Sequence, residues 1–463
     1  MLRPTLAALM FCAMLFVPAT RADADVVALL IDQTLYDQGQ VAAKLARYET
    51  EVEARFPADL QIHVGTFASQ SAAQVRAFIQ NEYNTIGISG VILVGQLPYV
   101  IWEQDPTFGT NHGILAFYYE DLDGTFTDQD ADGWLDYHTW GTNDGPEIWS
   151  CWMRPPVMDE AGYLEALLDK AHAYYAGEFV TGKRGLVACH SDYDNNFWPS
   201  GSTIPSMPAL VDIYGLTNVA TDGEGTDLVV ASELNQLLSS TRYEIAHFWG
   251  HANSILQAWD SGYLYNTDIL SFPTGNGPLI AHIYGCHSGD FIYHEGTSAS
   301  NTTIAVAYAF SNGGGQAASG TSWSYGTEGM NYITEAMGDG AYLGAAWKHL
   351  LDIRENSVAI HQRYSNRDVC KELSGNSLFG NPFLYANWTG YAYEAGDLNC
   401  DGMLDLFDID PFVIALTSAS ETPPFGTYDA LYPDCDPLLA DANGDEVVDL
   451  FDIDPFVEML TAK

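Results

Sequence analysis

Basic residues are scarce in this sequence. Its 463 residues include 17 lysines and arginines against 61 aspartates and glutamates, which gives a net charge of −44. Because so acidic a surface repels nucleic acid and anionic membranes, we expect no nucleic-acid partner. Hydrophobic residues still make up 47% of the chain. The length and this composition predict about three packed, domain-sized units.

Cysteine is scarce as well, with seven residues in the chain. Cys12 falls in an N-terminal segment that we expect to be removed, and the others are too few over this length to build a disulfide scaffold. Cys400 and Cys435 lie in the same C-terminal module. They are therefore the best candidates for a disulfide pair.

An apolar run near the N-terminus is too short to span a membrane. It covers residues 6–17, whereas a spanning helix needs roughly 20 residues. Arg3 precedes the run and small residues follow it at 20–24, which is the pattern of a signal peptide. We therefore predict a signal peptide over 1–24 and no transmembrane segment after its cleavage. The expected location is secreted, periplasmic or on the cell surface.

Strand-like and helix-like segments alternate from residue 26 onward. Apolar runs at 26–31, 90–94 and 185–189 are separated by segments with helical spacing, such as 41–56 and 71–83. This alternation predicts an α/β fold with a mostly parallel sheet flanked by helices. Later segments are predicted as one helix over 331–351 and a terminal turn at 379–382.

Two patches, 243–253 and 278–290, together resemble one active site. Each is an apolar run of strand length that stops at a glycine and is followed by His251 or by Cys286. The carboxyl ends of neighbouring parallel strands meet at one edge of a sheet, where α/β proteins place their chemistry. A thiol and an imidazole there are the minimum for nucleophilic catalysis. The alternative for Cys286 is a buried structural cysteine.

Cys286 would attack a carbonyl carbon, and His251 would act as general base and then as acid to the leaving amine. A strand-to-helix turn after the cysteine would supply backbone N–H groups for the oxyanion, including that of Cys286 itself. Of the other histidines, His247 and His282 lie inside the apolar runs and are expected in the core. The side chain of His287, directly after Cys286, is expected to be turned away from the active site by the bend.

Taken together, these motifs resemble the caspase–gingipain–legumain clan of cysteine peptidases, and the gingipain family most closely. The resemblance covers about 26–388 and implies two α/β subdomains, at 25–155 and 156–390. It also implies a cysteine endopeptidase with protein or peptide substrates and the dyad His251 and Cys286. The family usually has Gly after the histidine, with its N–H binding the oxyanion, and Ala252 stands at that position here.

The resemblance also implies an acidic residue upstream of the histidine. Asp192 and Asp194 follow the strand at 185–189 in the expected region. Either one would orient His251 or bind a basic substrate side chain. The alternative is an ordinary Asp/Asn turn without a role in the site.

An acidic insert at about 119–139 has the spacing of a calcium loop. Carboxylates at alternate positions followed by Gly133 turn inward around a hard cation. Thr139 replaces the usual final Glu, so this is not a complete EF-hand loop, and Asp121 or Asp123 is the expected extra ligand. The predicted Ca²⁺ ligands are Asp128, Asp130, Asp132 and Asp136.

The C-terminal region, 395–463, contains an internal repeat. Residues 406–413 are identical to 450–457, and each copy follows an Asp/Asn-rich loop. The pair resembles a type I dockerin, a small all-α domain with two calcium loops, and this implies Ca²⁺ and a cohesin-like or cell-surface partner. The ligands at loop positions 1, 3, 5, 7, 9 and 12 would be Asp397, Asn399, Asp401, Met403, Asp405 and Asp408, then Asp441, Asn443, Asp445, Val447, Asp449 and Asp452.

The sequence thus favours an exported, calcium-stabilised cysteine endopeptidase with a dockerin-like tail. A second hypothesis remains: a catalytically inactive peptidase-like scaffold or binding protein that acts through the tail. Ala252 leaves room for this alternative, because the residue after the histidine departs from the family's usual glycine.

Overall fold

One large mixed sheet organises most of the chain. The computed structural model describes residues 24–103, 112–142, 145–177, 183–193, 206–222, 228–292, 302–323, 329–355, 375–387, 396–399, 404, 406–421, 424–432, 435, 437–443 and 447–461. Within them the strands of the large sheet are β1 (Asp25–Asp32), β2 (Ala58–Gly65), β3 (Gly90–Val94), β8 (Trp149–Met153), β9 (Gly185–Cys189), β10 (Val219–Asp222), β11 (Arg242–Trp249), β15 (Gly277–Tyr284), β16 (Ala317–Thr321) and β17 (Asn376–Gly380).

The sheet consists of two parallel halves that run in opposite directions. Its order is β10-β9-β11-β15-β16-β17-β8-β3-β1-β2. Among the described strands, β16 and β17 form the antiparallel pair at which the two halves meet, and the neighbouring pairs are parallel. The predicted mostly parallel α/β sheet is therefore confirmed. Its central strands are buried on both faces, which explains their continuous apolar sequences.

Among the residues that the structure describes, seven shorter strands form small sheets beside the large one. In the region 105–147, which the sequence suggests is loop-like, the described residues contain three of them. The shorter strands are β4 (Ile101–Glu103), β5 (His112–Ile114), β6 (Thr125–Thr127), β7 (Tyr137–Thr139), β12 (His251–Asn253), β13 (Leu256–Ala258) and β14 (Tyr263–Tyr265).

Helices connect the strands, and the long ones bury an apolar stripe against the rest of the fold. The described helices are α1 (Gln33–Tyr36), α2 (Val41–Arg55), α3 (Ala72–Ile86), α4 (Glu160–Tyr175), α5 (Ser206–Tyr214), α6 (Ala231–Ser240), α7 (Asn266–Leu270), α8 (Ile304–Ala309), α9 (Met330–Gly338), α10 (Leu343–Glu355), α11 (Ile409–Ser418), α12 (Gly426–Leu431) and α13 (Ile453–Thr461). No described helix has the length and hydrophobicity that a bilayer crossing requires.

Two sequence predictions need correction. The single helix expected over 331–351 is two helices, α9 and α10, because Gly340 adopts a φ of 94° between them. The expected terminal turn at 379–382 begins inside the interior strand β17. A run of five residues paired with distant strands carries no local sign of its place in the sheet.

The C-terminal repeat has a small core of its own. Phe412 and Phe456, which occupy equivalent positions of the two copies, stack with ring centroids 4.0 Å apart and an interplanar angle of 1°. Their helices, α11 and α13, begin at the same repeat position. The copies therefore fold alike and pack through matching residues.

Candidate active site

The strands that carry His251 and Cys286 are hydrogen-bonded neighbours in matching register. β11 and β15 pair in parallel, and their last partners are Trp249 and Tyr284. The contact continues beyond the strands, since the Gly250 N–H donates to the Tyr284 carbonyl at 3.0 Å. His251 and Cys286 each stand two residues after that last pair. The structure thus brings both predicted residues to one edge of the sheet.

Gly285 allows the two strand ends to approach closely. A Cβ at this position would lie 2.7 Å from the Ala252 Cβ and 3.1 Å from the Gly250 carbonyl oxygen. Any larger residue would push the strand ends apart. The glycine before Cys286 therefore fixes the nucleophile loop against the residue that follows His251.

His190 ends a third strand at the same edge. β9 pairs in parallel with β11, with Cys189 opposite Trp249, and the His190 N–H donates to the Trp249 carbonyl at 2.8 Å. Sequence reasoning missed this residue. The sign was present, because His190 directly follows an apolar strand, and each dyad residue follows its own apolar strand after one glycine.

Both ring nitrogens of His251 have hydrogen-bond partners. Nε2 lies 2.9 Å from Asp192 Oδ2, and Nδ1 lies 3.2 Å from the Tyr193 hydroxyl. Burial, with further contributions from Tyr284 and Cys286, raises the pKa of Tyr193, so its hydroxyl keeps its proton. Tyr193 therefore donates to Nδ1, and we assign the ring proton to Nε2, where Asp192 accepts it.

The charge of Asp192 is favoured by its neighbours. The hydrogen bond from His251, followed by the charge of His190, lowers the pKa of this exposed carboxyl. The position of Asp192 matches the expectation of an acidic residue close to His251. Asp194, the other predicted residue, lies outside the described residues.

Cys286 is a half-buried thiol in this form. Burial raises its pKa, and a hydrogen bond with its own backbone N–H opposes the rise. Because the thiolate is the reactive species, the resting arrangement holds the cysteine in its less nucleophilic form. The Tyr193 hydroxyl contacts Nδ1 of His251, and Cys286 is close enough to contribute to the raised pKa of Tyr193.

The loop after the nucleophile forms the turn that the sequence suggested at 285–289, and the chain directly beyond residue 292 lies outside the described residues. Residues 286–289 form this turn, and His287 has a φ of 53°. Its Nδ1 lies 3.2 Å from Oδ2 of the buried Asp290. His287 is turned aside, as expected, and its N–H anchors the loop to the Trp323 carbonyl at 2.7 Å.

The two histidines inside the strands are core residues, as the sequence suggested. His247 contacts Thr334 at 2.8 Å and His282 contacts Ser319 at 2.9 Å, through ring nitrogen and hydroxyl. Both are fully buried. Burial lowers the pKa of His247 well below its usual value and lowers that of His282 to about 3. Neither ring takes part in the site.

The acidic insert contributes carboxylates to two clusters, and Asp121 and Asp123, the expected extra ligands, lie with Glu147 in one of them. Glu103, on β4, lies with Asp130 and Asp132 in a cluster whose oxygens are within 4.8 Å of one another. Burial and the charges of all four insert aspartates raise the pKa of Glu103. Asp121 also pairs with buried His138 at 2.5 Å, and Asp123 accepts the Thr142 N–H at 2.7 Å.

The described parts of the two C-terminal loops match each other. Asp408 Oδ1 accepts the Asn399 N–H at 3.1 Å, and Asp452 Oδ1 accepts the Asn443 N–H at 3.1 Å. Asp408 and Asp452 are fully buried. Cys435 is disulfide-bonded, and its candidate partner Cys400 lies outside the described residues. So do the predicted ligands Asp401, Met403, Asp405 and Asp445.

A cysteine and a histidine on neighbouring strand ends, at the carboxyl edge of a parallel half-sheet, fit the class of the cysteine peptidases. The profile of Peptidase family C25 matches residues 59–384. That is more than half of the chain, and the chain belongs to this family. None of the curated proteins searched matches the sequence.

Solved structures of gingipains share the fold. The crystal structure of the Arg-specific cysteine proteinase gingipain R is similar with a TM-score of 0.55 and 12% identity, over 79% of this chain and 78% of that one. The complex of the Porphyromonas gingivalis RgpB pro- and mature domains has a TM-score of 0.54 and 14% identity, over 78% and 79%. At this identity the likeness establishes the architecture.

Proposed function

We propose that the protein is an exported cysteine endopeptidase that uses Cys286 as nucleophile and His251 as proton carrier. The observation that carries this proposal is the register of β11 and β15, which aligns the two residues on adjacent strand ends. Its support is membership of Peptidase family C25. Export rests on the signal-peptide pattern over 1–24.

In the proposed reaction, the Cys286 sulfur attacks the carbonyl carbon of the scissile bond and its proton passes to His251. The leaving amine takes that proton from His251 as the thioester forms, and water then hydrolyses the thioester. Backbone N–H groups of Ala252 and Cys286 would stabilise the oxyanion. The close contact of Gly285 with Ala252 holds these two backbone segments together.

Asp192 is proposed to orient His251 rather than to bind a basic substrate residue. Its carboxylate is already engaged with Nε2, so Nδ1 is the nitrogen that handles the proton of Cys286. In the resting form the Tyr193 hydroxyl occupies that nitrogen. Catalysis then requires that Cys286 replace Tyr193 as the partner of Nδ1.

An end-blocked, internally quenched peptide library tests the proposal, since it reports internal cleavage alone. We expect hydrolysis by the wild-type protein and a loss of at least 10³-fold, on the order seen when a nucleophile is removed, in Cys286→Ala and His251→Ala. His63→Ala, on the edge strand β2, is the matched histidine control and should retain the wild-type rate. Equal hydrolysis by Cys286→Ala would contradict the proposal.

A non-catalytic scaffold is the second candidate. The observation that favours it is the resting site itself, with a raised Cys286 pKa and both nitrogens of His251 occupied. Iodoacetamide alkylation against pH separates the candidates. If Cys286 is catalytic, its alkylation rate stays high at pH values below the ordinary thiol pKa, and this fast reaction disappears in His251→Ala. If the protein is a scaffold, the alkylation rate depends on pH in the same way in both proteins.

Calcium binding and a docking tail complete the proposal. The clustering of Glu103 with the insert carboxylates supports a Ca²⁺ site built on Asp128, Asp130, Asp132 and Asp136. The matching buried carboxylates Asp408 and Asp452 support the paired loops of a dockerin-like domain. A cohesin-like or cell-surface partner remains an expectation, and a pull-down with the isolated partner domain in calcium and in chelator tests it.

A further inference from the structure

Three polar side chains at the active edge converge on one point. One ring nitrogen of His190, one of His251 and one carboxylate oxygen of Asp192 lie within 4.8 Å of one another. The His251 Nε2 is 2.9 Å and the His190 Nδ1 is 3.9 Å from Asp192 Oδ2. The ligand atoms of a tetrahedral Zn²⁺ stand roughly 3.3 Å apart, given bonds of about 2.0–2.1 Å. Small side-chain rotations would therefore place all three atoms around one ion.

The backbone segment that joins His190 and Asp192 is held by a buried carboxylate. Asp260, whose side chain is 5% exposed, lies 3.6 Å from the His190 Nδ1. It also accepts the N–H groups of Ser191 at 3.2 Å and Val229 at 3.0 Å, so its own position is fixed. The Asp192 N–H donates to the same His190 Nδ1 at 3.0 Å, and an ion bound at this nitrogen would replace that hydrogen bond. The support therefore exists before any ion binds.

The chemical types of the three ligands indicate which metal ion would bind. Two imidazoles and one carboxylate, with the remaining position open, are the ligands of known three-residue zinc sites. Imidazole favours Zn²⁺ and related transition metals over Ca²⁺ and Mg²⁺, which prefer oxygen. This cluster is thus chemically distinct from the acidic insert, whose ligands are carboxylates.

We propose that His190, Asp192 and His251 form a Zn²⁺ site that inhibits the peptidase when occupied. Binding at Nε2 of His251 displaces the proton now shared with Asp192. The proton of the coordinated neutral ring then resides on Nδ1, so that nitrogen no longer accepts the proton of Cys286. The inhibitory half of this inference rests on the proposed function, whereas the binding half does not.

Calorimetric titration with ZnCl₂ tests the binding half on the full-length Cys286→Ala protein, in millimolar CaCl₂ to fill the oxygen-rich sites. We expect one equivalent of tightly bound Zn²⁺ and at least a tenfold weaker affinity after the further change His190→Ala. His63→Ala is the control for loss of a histidine elsewhere and should bind as before. Absence of a tight equivalent, or unchanged affinity in the His190→Ala protein, overturns the site.

Peptide hydrolysis tests the inhibitory half. With Cys286 intact, Zn²⁺ should abolish hydrolysis reversibly, and His190→Ala should need at least tenfold more Zn²⁺ for half-inhibition, relative to its own zinc-free rate. Tight Zn²⁺ binding without a fall in the hydrolysis rate would contradict the proposed inhibition. The proposed metal site would still stand. Absence of hydrolysis before zinc is added contradicts the proposed function, and the calorimetric result then still decides the site.

Discussion

Asp192 Oδ2 accepts a hydrogen bond from Nε2 of His251 at 2.9 Å, and this contact determines which face of the imidazole is left for Cys286. The carboxylate fixes the ring tautomer and leaves Nδ1, which now contacts the Tyr193 hydroxyl, as the nitrogen open to exchange partners. The sequence left Asp192 with three alternatives: orienting the histidine, binding a basic substrate residue, or forming a plain turn. The contact favours the first.

Asp192→Asn should therefore lower kcat more than it changes KM. An amide stabilises the imidazolium less well and can hold the wrong tautomer, so we expect a loss on the order of 10²-fold in kcat, less than for a buried triad carboxylate. Steady-state hydrolysis of a quenched peptide measures both constants. Asp37→Asn, at the exposed end of α1, is the isosteric control. A change confined to KM would instead indicate substrate binding by Asp192.

Tyr193→Phe should make Cys286 more reactive. The hydroxyl of Tyr193 occupies Nδ1 of His251, and a hydrogen bond of this type contributes about 1 kcal/mol, so its removal should speed alkylation roughly fivefold. The rate of iodoacetamide labelling at pH 7 measures the change. A slower rate in the variant would mean that Tyr193 holds the histidine in its productive position.

Burial of His282 should make the fold sensitive to acid. Its folded pKa of about 3 lies below the unfolded value near 6.5, so the unfolded chain binds the proton first and stability falls as pH falls through that window. Urea unfolding between pH 6 and pH 4 gives the free energy of unfolding at each pH. Its slope against pH should be shallower by about 1.4 kcal/mol per pH unit in His282→Gln than in the wild type. His63→Gln should keep the wild-type slope, because His63 is not buried in the core.

Lys170 should influence stability at alkaline pH. This part-buried ammonium donates to the carbonyls of Ser311 and Gly315, and burial lowers its pKa to about 7. Since the unfolded value is near 10.5, the unfolded chain holds the extra proton between pH 7 and pH 10.5, and stability rises across that range. Thermal unfolding at pH 7 and pH 10 should show this rise in the wild type and its absence in Lys170→Met.

Calcium removal should destabilise the protein in two separable steps, one for the insert and one for the tail. Calorimetry with Ca²⁺ and with chelator measures both steps. The step of the insert should be absent in Glu103→Gln and the step of the tail absent in Asp408→Asn, because each change removes a carboxylate from one cluster. Glu233→Gln, on the exposed face of α6, should keep both steps. Identical thermograms with and without chelator would count against both sites.

The sequence predicts the parts of this fold that depend on local pattern. The buried strands, the helices α2 and α3 and the edge shared by His251 and Cys286 follow from apolar runs, helical spacing and glycine stops. The position of β17 in the sheet cannot be predicted from local pattern, because its partners β16 and β8 are distant in the chain. The reversal of direction between the two halves of the sheet is equally invisible to local pattern.

Within the site, the sequence supplies the residues that follow strand ends but not their pairing. That Asp192 meets Nε2 and Tyr193 meets Nδ1 depends on side-chain rotations after β9. Glu103 joins the acidic insert from a strand outside it, so no loop spacing could identify it. His190 is the exception, since its position after an apolar strand repeats the pattern of the dyad.

The last strand of the large sheet has a consequence for the order of assembly. β17 lies between β16 and β8 and joins the two halves, and its Phe379 pairs with Trp152. Gly289, in the nucleophile loop, sits against Gly320 and the Phe379 ring. The chain must therefore reach residue 380 before the loop beyond Cys286 has its full support. During synthesis the nucleophile is made long before the strand that completes its surroundings.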